Sequence, residues 1–406
     1  MAEMFLEILI AIIFGCLMGV ITGITPGLHI NLVALILLSI SPILLGYTNI
    51  IAVASFIIAM SITHTFTDLI SAIYLGAPAD DTALAVLPGH RMLLEGMGYE
   101  AVKLTTIGSL FGLIAVILIS PFLIIIIPSL FNLIKPLIGW ILLAVVVFMI
   151  LRDKDSNKKF WNVYTFVLSG ILGILVFSFP NIKDPLLPLL SGMFGISMLA
   201  MSLSQKVILP LQRTTESVIV KGKELFKSVG SSVFSGSLVS IFPGLGPAQA
   251  AVLGTQIAGR ISTFGFLILV GGINTVSMVI SIITMFSISK ARNGSIAVVQ
   301  KLIGSIDIQT LVLFICVALI AGGTATFLTL YTARIFSRIM NKINYSIASI
   351  SIIIFISLLV FYFSGFIGLF VLIISTFIGL IPAITNVNRS NLMGCLLLPV
   401  IIYYLI

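Results

Sequence analysis

Two groups of residues in this sequence could do chemistry within apolar surroundings. His64 and Asp68 lie four positions apart in an apolar run, so on a helix they share one face. Inserting an ionisable residue at the centre of a membrane helix costs about 2.5–3.5 kcal/mol and marks function by default. A histidine titrating near neutrality, biased by a carboxylate, can relay a coupling proton. The bland alternative is that the two satisfy each other and nearby hydroxyls. The second group is backbone chemistry. Pro26 and Gly27 return as Pro243 and Gly244 in the second half, and each pair interrupts an apolar stretch. Proline removes a donor and blocks the preceding turn, while glycine opens conformations closed to other residues. A helix starting just after such a break points unpaired amides and a positive dipole end at whatever lies before it, a site for carboxylate or phosphate.

These pairs imply helical hairpins with the Pro-Gly breaks at their tips. Thr25, Pro26, Gly27, His29 and Asn31 would face Pro243, Gly244, Gly246 and Gln249 across a binding site for an anion. Tight turns between packed helices are the structural alternative, but irregular backbone at membrane depth normally lines a cavity. A second echo supports a duplication. At a slightly shorter offset, His64, Thr65, Thr67 and Ser71 fall on Asn274, Thr275, Ser277 and Ser281. Asn274 and Thr275 are expected to support the second tip.

The elements that position these residues follow from composition. The chain has 406 residues, 59% hydrophobic and 8% charged, with a mean hydropathy of +1.27. Repeated apolar runs of about 18 residues or more read as transmembrane helices. The fold expected is therefore an all-α polytopic membrane protein. Residues 5–45 would make one helix of about 60 Å, twice the hydrocarbon core, so they must fold as a hairpin. The second hairpin, 229–259, has arms of about 14 residues, about 20 Å each and too short to cross. It reads as re-entrant, and by symmetry so does the first. Spans are expected at 51–75, 101–127, 134–151, 160–179 and 185–203, then at 261–288, 305–332, 345–362, 366–383 and 391–405. The chain thus divides into a first repeat, 1–203, a basic amphipathic connector, 204–228, and a second repeat, 229–406.

Charge sets the orientation. The net charge of +8 comes from 21 Lys and Arg that sit mostly in short connections, not in a nucleic-acid footprint. The most basic connections are 152–159, 206–227 and 334–342. With each hairpin counted as no net crossing, all three fall on one side, which the positive-inside rule makes cytoplasmic. Both termini come out external in a plasma or inner membrane, and the loop 289–304, with Lys290, Arg292 and Lys301, runs against the rule. The two repeats are then related by inverted topology, each a re-entrant hairpin plus five spans, the architecture of secondary transporters with a site near the midplane. The connector suits anionic headgroups.

Other classes find little support. Cys16, Cys316 and Cys395 lie in apolar stretches, at spacings useless for a metal site or a disulfide framework. There is no P-loop for ATP. Three histidines and few intramembrane carboxylates do not build an enzyme's acid–base site, and no ring of like charge marks a channel. No cofactor is needed beyond a coupling ion, H⁺ or Na⁺, since exposed carbonyls at the breaks bind Na⁺ without leaving a sequence mark. The N-terminus lacks a basic flank and a small-residue cleavage site, so residues 1–20 are expected to stay.

At this point the sequence resembles a known family. The run Pro243, Gly244, Leu245, Gly246 and Pro247 and its first-half counterpart resemble the large membrane subunit of tripartite tricarboxylate transporters, the TctA-like family. So does the loop containing Gly76, Pro78, Thr82, Gly89, Met92, Gly98 and Ala101. Two departures mark a divergent member: His29, Ile30 and Asn31 stand where Gly-Pro or Ser-Pro is expected, and the chain is shorter than typical members. The resemblance implies a secondary transporter of di- or tricarboxylates, driven by an ion gradient. It also implies a small membrane subunit and an external binding protein as partners, and it leaves a homo-oligomer open. The competing expectation is a transporter of a lipid-linked phosphate such as polyprenyl phosphate, whose head suits the same amide-rich tips.

Overall fold

The computed structural model describes residues 2–25, 30–76, 86–151, 155–179, 182, 185–204, 210–214, 218–241, 247–340, 342 and 345–405. Every regular element among them is helical. The first half contains α1 (Ala2–Ile24), α2 (Ile30–Leu44), α3 (Ile50–Tyr74), α4 (Val86–Leu94), α5 (Gly98–Ile134), α6 (Ile138–Leu151), α7 (Ser156–Ser178), α8 (Leu186–Leu190) and α9 (Ser197–Ser204). A π-helical turn, Ser191–Ile196, joins the last two. The second half contains α10 (Gly222–Ile241), α11 (Pro247–Ala258), α12 (Thr263–Ile288), α13 (Gly294–Ile303), α14 (Ile308–Met340), α15 (Tyr345–Thr385) and α16 (Gly394–Leu405), with a 3-10 turn at Arg389–Met393. Seven of the described helices are long and apolar enough to cross a bilayer: α1, α3, α5, α7, α12, α14 and α15. The chain is a multi-pass membrane protein.

The centre is built from α3 and α12, which are enclosed by protein along nearly their whole lengths. α1 and α14 cover α3, while α10 and α5 cover α12, so each half supplies a wall for the other half's central helix. On α1, Phe5, Leu9, Ile13, Leu17 and Ile21 are exposed at four-residue spacing, a stripe suited to lipid tails. The opposite face carries Gly15, Gly19 and Gly23, where a Cβ would strike Phe56, Met60 and Thr67 of α3. Small residues let membrane helices approach backbone to backbone, where packing replaces the missing hydrophobic drive. Side-chain caps start the main helices: Asn49 accepts from the Ala52 amide at 2.8 Å, and Ser262 from the Gly265 amide at 3.3 Å.

Several boundaries differ from the sequence reading. Hairpin two's first arm begins at Gly222, inside the basic connector, and has 20 residues rather than about 14. Its helical length is about 30 Å. α1 has 23 residues and is itself a candidate span; it packs on α3 while α2 packs on α13, whereas α10 and α11 pack on one another. α5 runs through Pro121 and Pro128 to Ile134. Such continuity is tolerated because neighbours re-satisfy the freed carbonyls in membrane helices. α14 extends to Met340, placing Arg334 and Arg338 on its last turns rather than in a loop. The expected spans 345–362 and 366–383 meet without a loop at Gly365, whose φ of 61° and ψ of −156° only glycine adopts readily. The connections 76–100 and 289–304 each carry a short helix, α4 and α13.

One stretch of the connector is tied to the protein. Arg213 pairs with the buried Glu100 at 3.0 Å, and its amide donates to the Gly96 carbonyl at 3.0 Å. Gln212 Oε1 accepts from the Gly98 amide at 3.1 Å. These bonds latch residues 210–214 to the corner between α4 and α5.

Candidate functional site

Of the residues singled out at the hairpin tips, Pro26, Gly27, His29, Pro243, Gly244 and Gly246 lie outside the described residues, as do Pro78, Asp80, Asp81 and Thr82 of the first long loop. Asn31 belongs to α2 and Gln249 to α11, with side chains outside the description. Thr25 bends off the end of α1, its hydroxyl donating to the Ile21 carbonyl at 2.7 Å. The helices flanking both breaks are in place. α2 is described from Ile30 and α11 from Pro247, each following its half's break.

The polar echo lies at the centre of the molecule. Thr65 on α3 and Thr275 on α12 touch through their hydroxyls at 3.0 Å. Thr65 gives its proton to the Ile62 carbonyl at 2.8 Å, so Thr275 is the donor between them. These two residues are counterparts in the echo, 210 positions apart. Beside them Asn274 Nδ2 donates to Asp68 Oδ2 at 2.7 Å, both side chains being buried. His64, one turn earlier on α3, meets Thr22 of α1 through Nδ1 at 3.0 Å. His64 and Asp68 therefore share a face of α3 but engage different helices, α1 and α12. Asn274 and Thr275, expected to support the second tip, are bonded to the first half's α3.

Two bonds that the sequence reading missed tie this centre to the breaks. Thr22 stands four residues before Pro26, and it carries His64 to the tip of hairpin one. Ser240 stands three residues before Pro243 and donates to Ser277 at 2.7 Å, pinning hairpin two to α12. A polar residue one turn ahead of a Pro-Gly break was the available signal. Comparison of the repeats passed over both, because in the register that aligns Pro26 with Pro243 they fall on Val239 and Gly23. Hydroxyls on α3 also reach α1 directly: Thr67 donates to the Gly19 carbonyl and Ser71 to the Gly23 carbonyl, both at 3.1 Å.

Outside the spans, two titratable groups hold corners. His90 on α4 is buried, with Nδ1 3.0 Å from the Ile73 carbonyl. Burial pushes its pKa down, and the carbonyl opposes this only in part. At the base of hairpin two, Glu224 takes hydrogen bonds from the Ser262 side chain and from its amide, at 2.7 Å for the amide. These hold the carboxyl below its ordinary value. Among the described residues no group of three or more His, Cys, Asp or Glu could hold a metal ion.

The arrangement is a buried polar cluster between the two central helices, joined by hydroxyl bonds to α1 and α10. Its carboxylate, Asp68, also makes the contact between α3 and α12. A family model described as "Tripartite tricarboxylate transporter TctA family" matches residues 9–394. A Methanocaldococcus jannaschii protein, described as uncharacterized, is 30% identical over 406 residues, covering 98% of this chain and 99% of its own length. No solved structure matches the chain.

Proposed function

The chain belongs to the tripartite tricarboxylate transporter TctA family, and from that premise we propose that it is a secondary transporter of a small di- or tricarboxylate anion. The anion binds between the two Pro-Gly tips, whose helix ends supply amides and positive dipole. Alternating access exchanges the two faces of the site. Asp68, with His64 beside it, carries the coupling ion, H⁺ or Na⁺. The protein works in the plasma membrane with both termini outside, alongside a small membrane subunit and an external binding protein.

One observation carries this reading. The contact of Thr65 with Thr275, flanked by the bond of Asn274 to Asp68, brings residues related by the echo face to face. A contact between counterparts is what a local twofold axis between the halves would produce. Inverted repeats meeting at such an axis place their site there, and a buried carboxylate on the axis is where an ion couples.

The test is counterflow in proteoliposomes loaded with unlabelled citrate, followed by uptake under separately imposed proton and sodium gradients. Labelled citrate is expected to exchange, and one of the two gradients to drive accumulation. Asp68→Asn is expected to keep exchange while accumulation falls at least tenfold. Absence of counterflow with every di- and tricarboxylate tried, together with a polyprenyl phosphate retained in native mass spectrometry, overturns the reading.

A further inference from the structure

An anion transporter must offset its substrate's charge, yet the central cluster is neutral or acidic and neither tip contains Lys or Arg. We propose that Arg389, in a turn that touches α11, supplies this charge, its guanidinium binding a carboxylate of the substrate. The inference rests on the transport reading above and names a further residue for the substrate.

Arg389 opens the 3-10 turn Arg389–Met393, which sits between α7, α15 and α16 and touches α11, the returning arm of hairpin two. The residue is only 8% exposed. Among the described residues, no carboxylate lies within ion-pair distance of it and no hydrogen bond engages its guanidinium; the described arginine ion pairs are Arg91 with Glu95 and Arg213 with Glu100. A largely buried arginine without a counter-charge is costly, since most of its surface has left water. An arginine of that kind in a membrane protein is kept for a ligand. Its planar fork matches a carboxylate with two parallel bonds, which a lysine cannot reproduce.

The turn is also held rigidly, as a binding group must be. Asn391 Nδ2 donates to Asn162 Oδ1 of α7 at 2.6 Å, and Ser169 donates to the Asn391 carbonyl at 3.4 Å. Gly394, just after the turn, lies so close to α7 that a Cβ would strike the Phe166 carbonyl. Between Asn162 and Ser169 on the same face of α7, the Thr165 hydroxyl is fully buried with no partner among the described residues. Arginine and hydroxyl together leave donors waiting for an oxyanion.

Carboxylate and lipid phosphate share this chemistry, and the experiment separates them. Thermal unfolding of the purified full chain is followed with and without citrate, and separately with polyprenyl phosphate, for wild type, Arg389→Gln and Arg389→Lys. Citrate is expected to raise the wild-type unfolding temperature, to shift R389K less and to leave R389Q unmoved. Empty R389Q is expected to be at least as stable as wild type, because an uncompensated charge has gone. In counterflow, R389Q should raise the KM for citrate at least tenfold while the maximal rate changes less. An R389Q protein that is less stable when empty yet responds normally to citrate overturns the proposal, since the arginine is then structural. A wild type that responds to polyprenyl phosphate but not to citrate, with the response lost in R389Q, keeps Arg389 as an oxyanion ligand and defeats the tricarboxylate reading instead. A wild type indifferent to both ligands defeats both.

Discussion

One of the closest joints among the described residues lies between α5 of the first half and α12 of the second, and Gly108→Ala tests whether it governs stability. A Cβ on Gly108 would stand 2.7 Å from the carbonyl carbon of Ile268 and closer still to its oxygen. One on Gly271 would stand 2.8 Å from the carbonyl carbon of Thr105, again with the oxygen nearer. Ordinary contact begins near 3.4 Å, so each substitution must push the two helices apart, the first slightly further than the second. Neither obstacle is a side chain that can swing away; both are backbone. Overpacking of this kind costs about 1–3 kcal/mol, and the upper end applies where backbone must move. Opening the joint also stretches the bond from Ser109 to the Gly271 carbonyl, now 3.0 Å, beyond bonding range. That adds about 0.6 kcal/mol, the average for such bonds in membranes. Alanine's better helix propensity returns up to about 1 kcal/mol. The net loss expected for G108A is about 2–3 kcal/mol.

The assay is SDS titration of the detergent-purified protein, read by far-ultraviolet circular dichroism. Gly323→Ala on α14 is the control, since nothing lies within 4 Å of its Cβ position. It should be neutral or stabilising by up to about 1 kcal/mol through the same propensity term. The double variant G108A/G271A gives the sharper reading. Once G108A has opened the joint, the smaller separation needed at Gly271 is already present, so the double should cost little more than G108A alone. Additive losses, or a G108A protein within about 0.5 kcal/mol of wild type, would refute the close-packed joint as the source of stability.

Two further outcomes follow from the geometry. Thr65→Val and Thr275→Val should each destabilise by about 0.6 kcal/mol, with about 1.7 kcal/mol as a ceiling, and T65V/T275V should cost less than their sum, because one shared bond is lost only once. Strict additivity in the same SDS titration would count against the contact. Acidification should loosen the α3–α4 corner: burial holds the His90 pKa below its unfolded value, so the stability it contributes is complete above about pH 6.5 and is lost as pH falls below that value. Unfolding midpoints measured from pH 7.5 to 5 should fall for wild type and flatten in His90→Asn; parallel curves would remove His90 from the account.

Much of this was legible because membrane helices write themselves as long apolar runs, and because polar residues recur in step between the two halves. The polar echo pointed to Thr65 and Thr275, and these two side chains meet. What escaped the sequence did so for physical reasons. Lys223, Glu224 and Lys227 read as a solvated connector, yet Glu224 bonds to Ser262 and the helix of hairpin two begins at Gly222. α4 and α13 are short, and proline or glycine in or beside them suggested loop. Asn162 and Asn391 are 229 residues apart with no shared periodicity, so only packing could pair them. Arg389 reads as a lone charge between two spans, and its burial beside α11 is purely a product of the fold.

In the proposed mechanism, the departures from symmetry put coupling in the first half. Around the local twofold proposed here, the bond from Asn274 to Asp68 has an image that would join His64 to Met278. That image does not form. Met278 turns to α13 instead, its Sδ accepting from Asn293 Nδ2 at 2.9 Å, while His64 turns to Thr22 on α1. A thioether is a weak acceptor and carries no charge, so only one side of the axis can bind and release a cation at a carboxylate. Substrate recognition in this reading draws on both halves, whereas ion coupling belongs to the first half and runs through the bond that spans both central helices. One substitution at Asp68 should then uncouple transport completely, with no second site in the other repeat to sustain a partial gradient response.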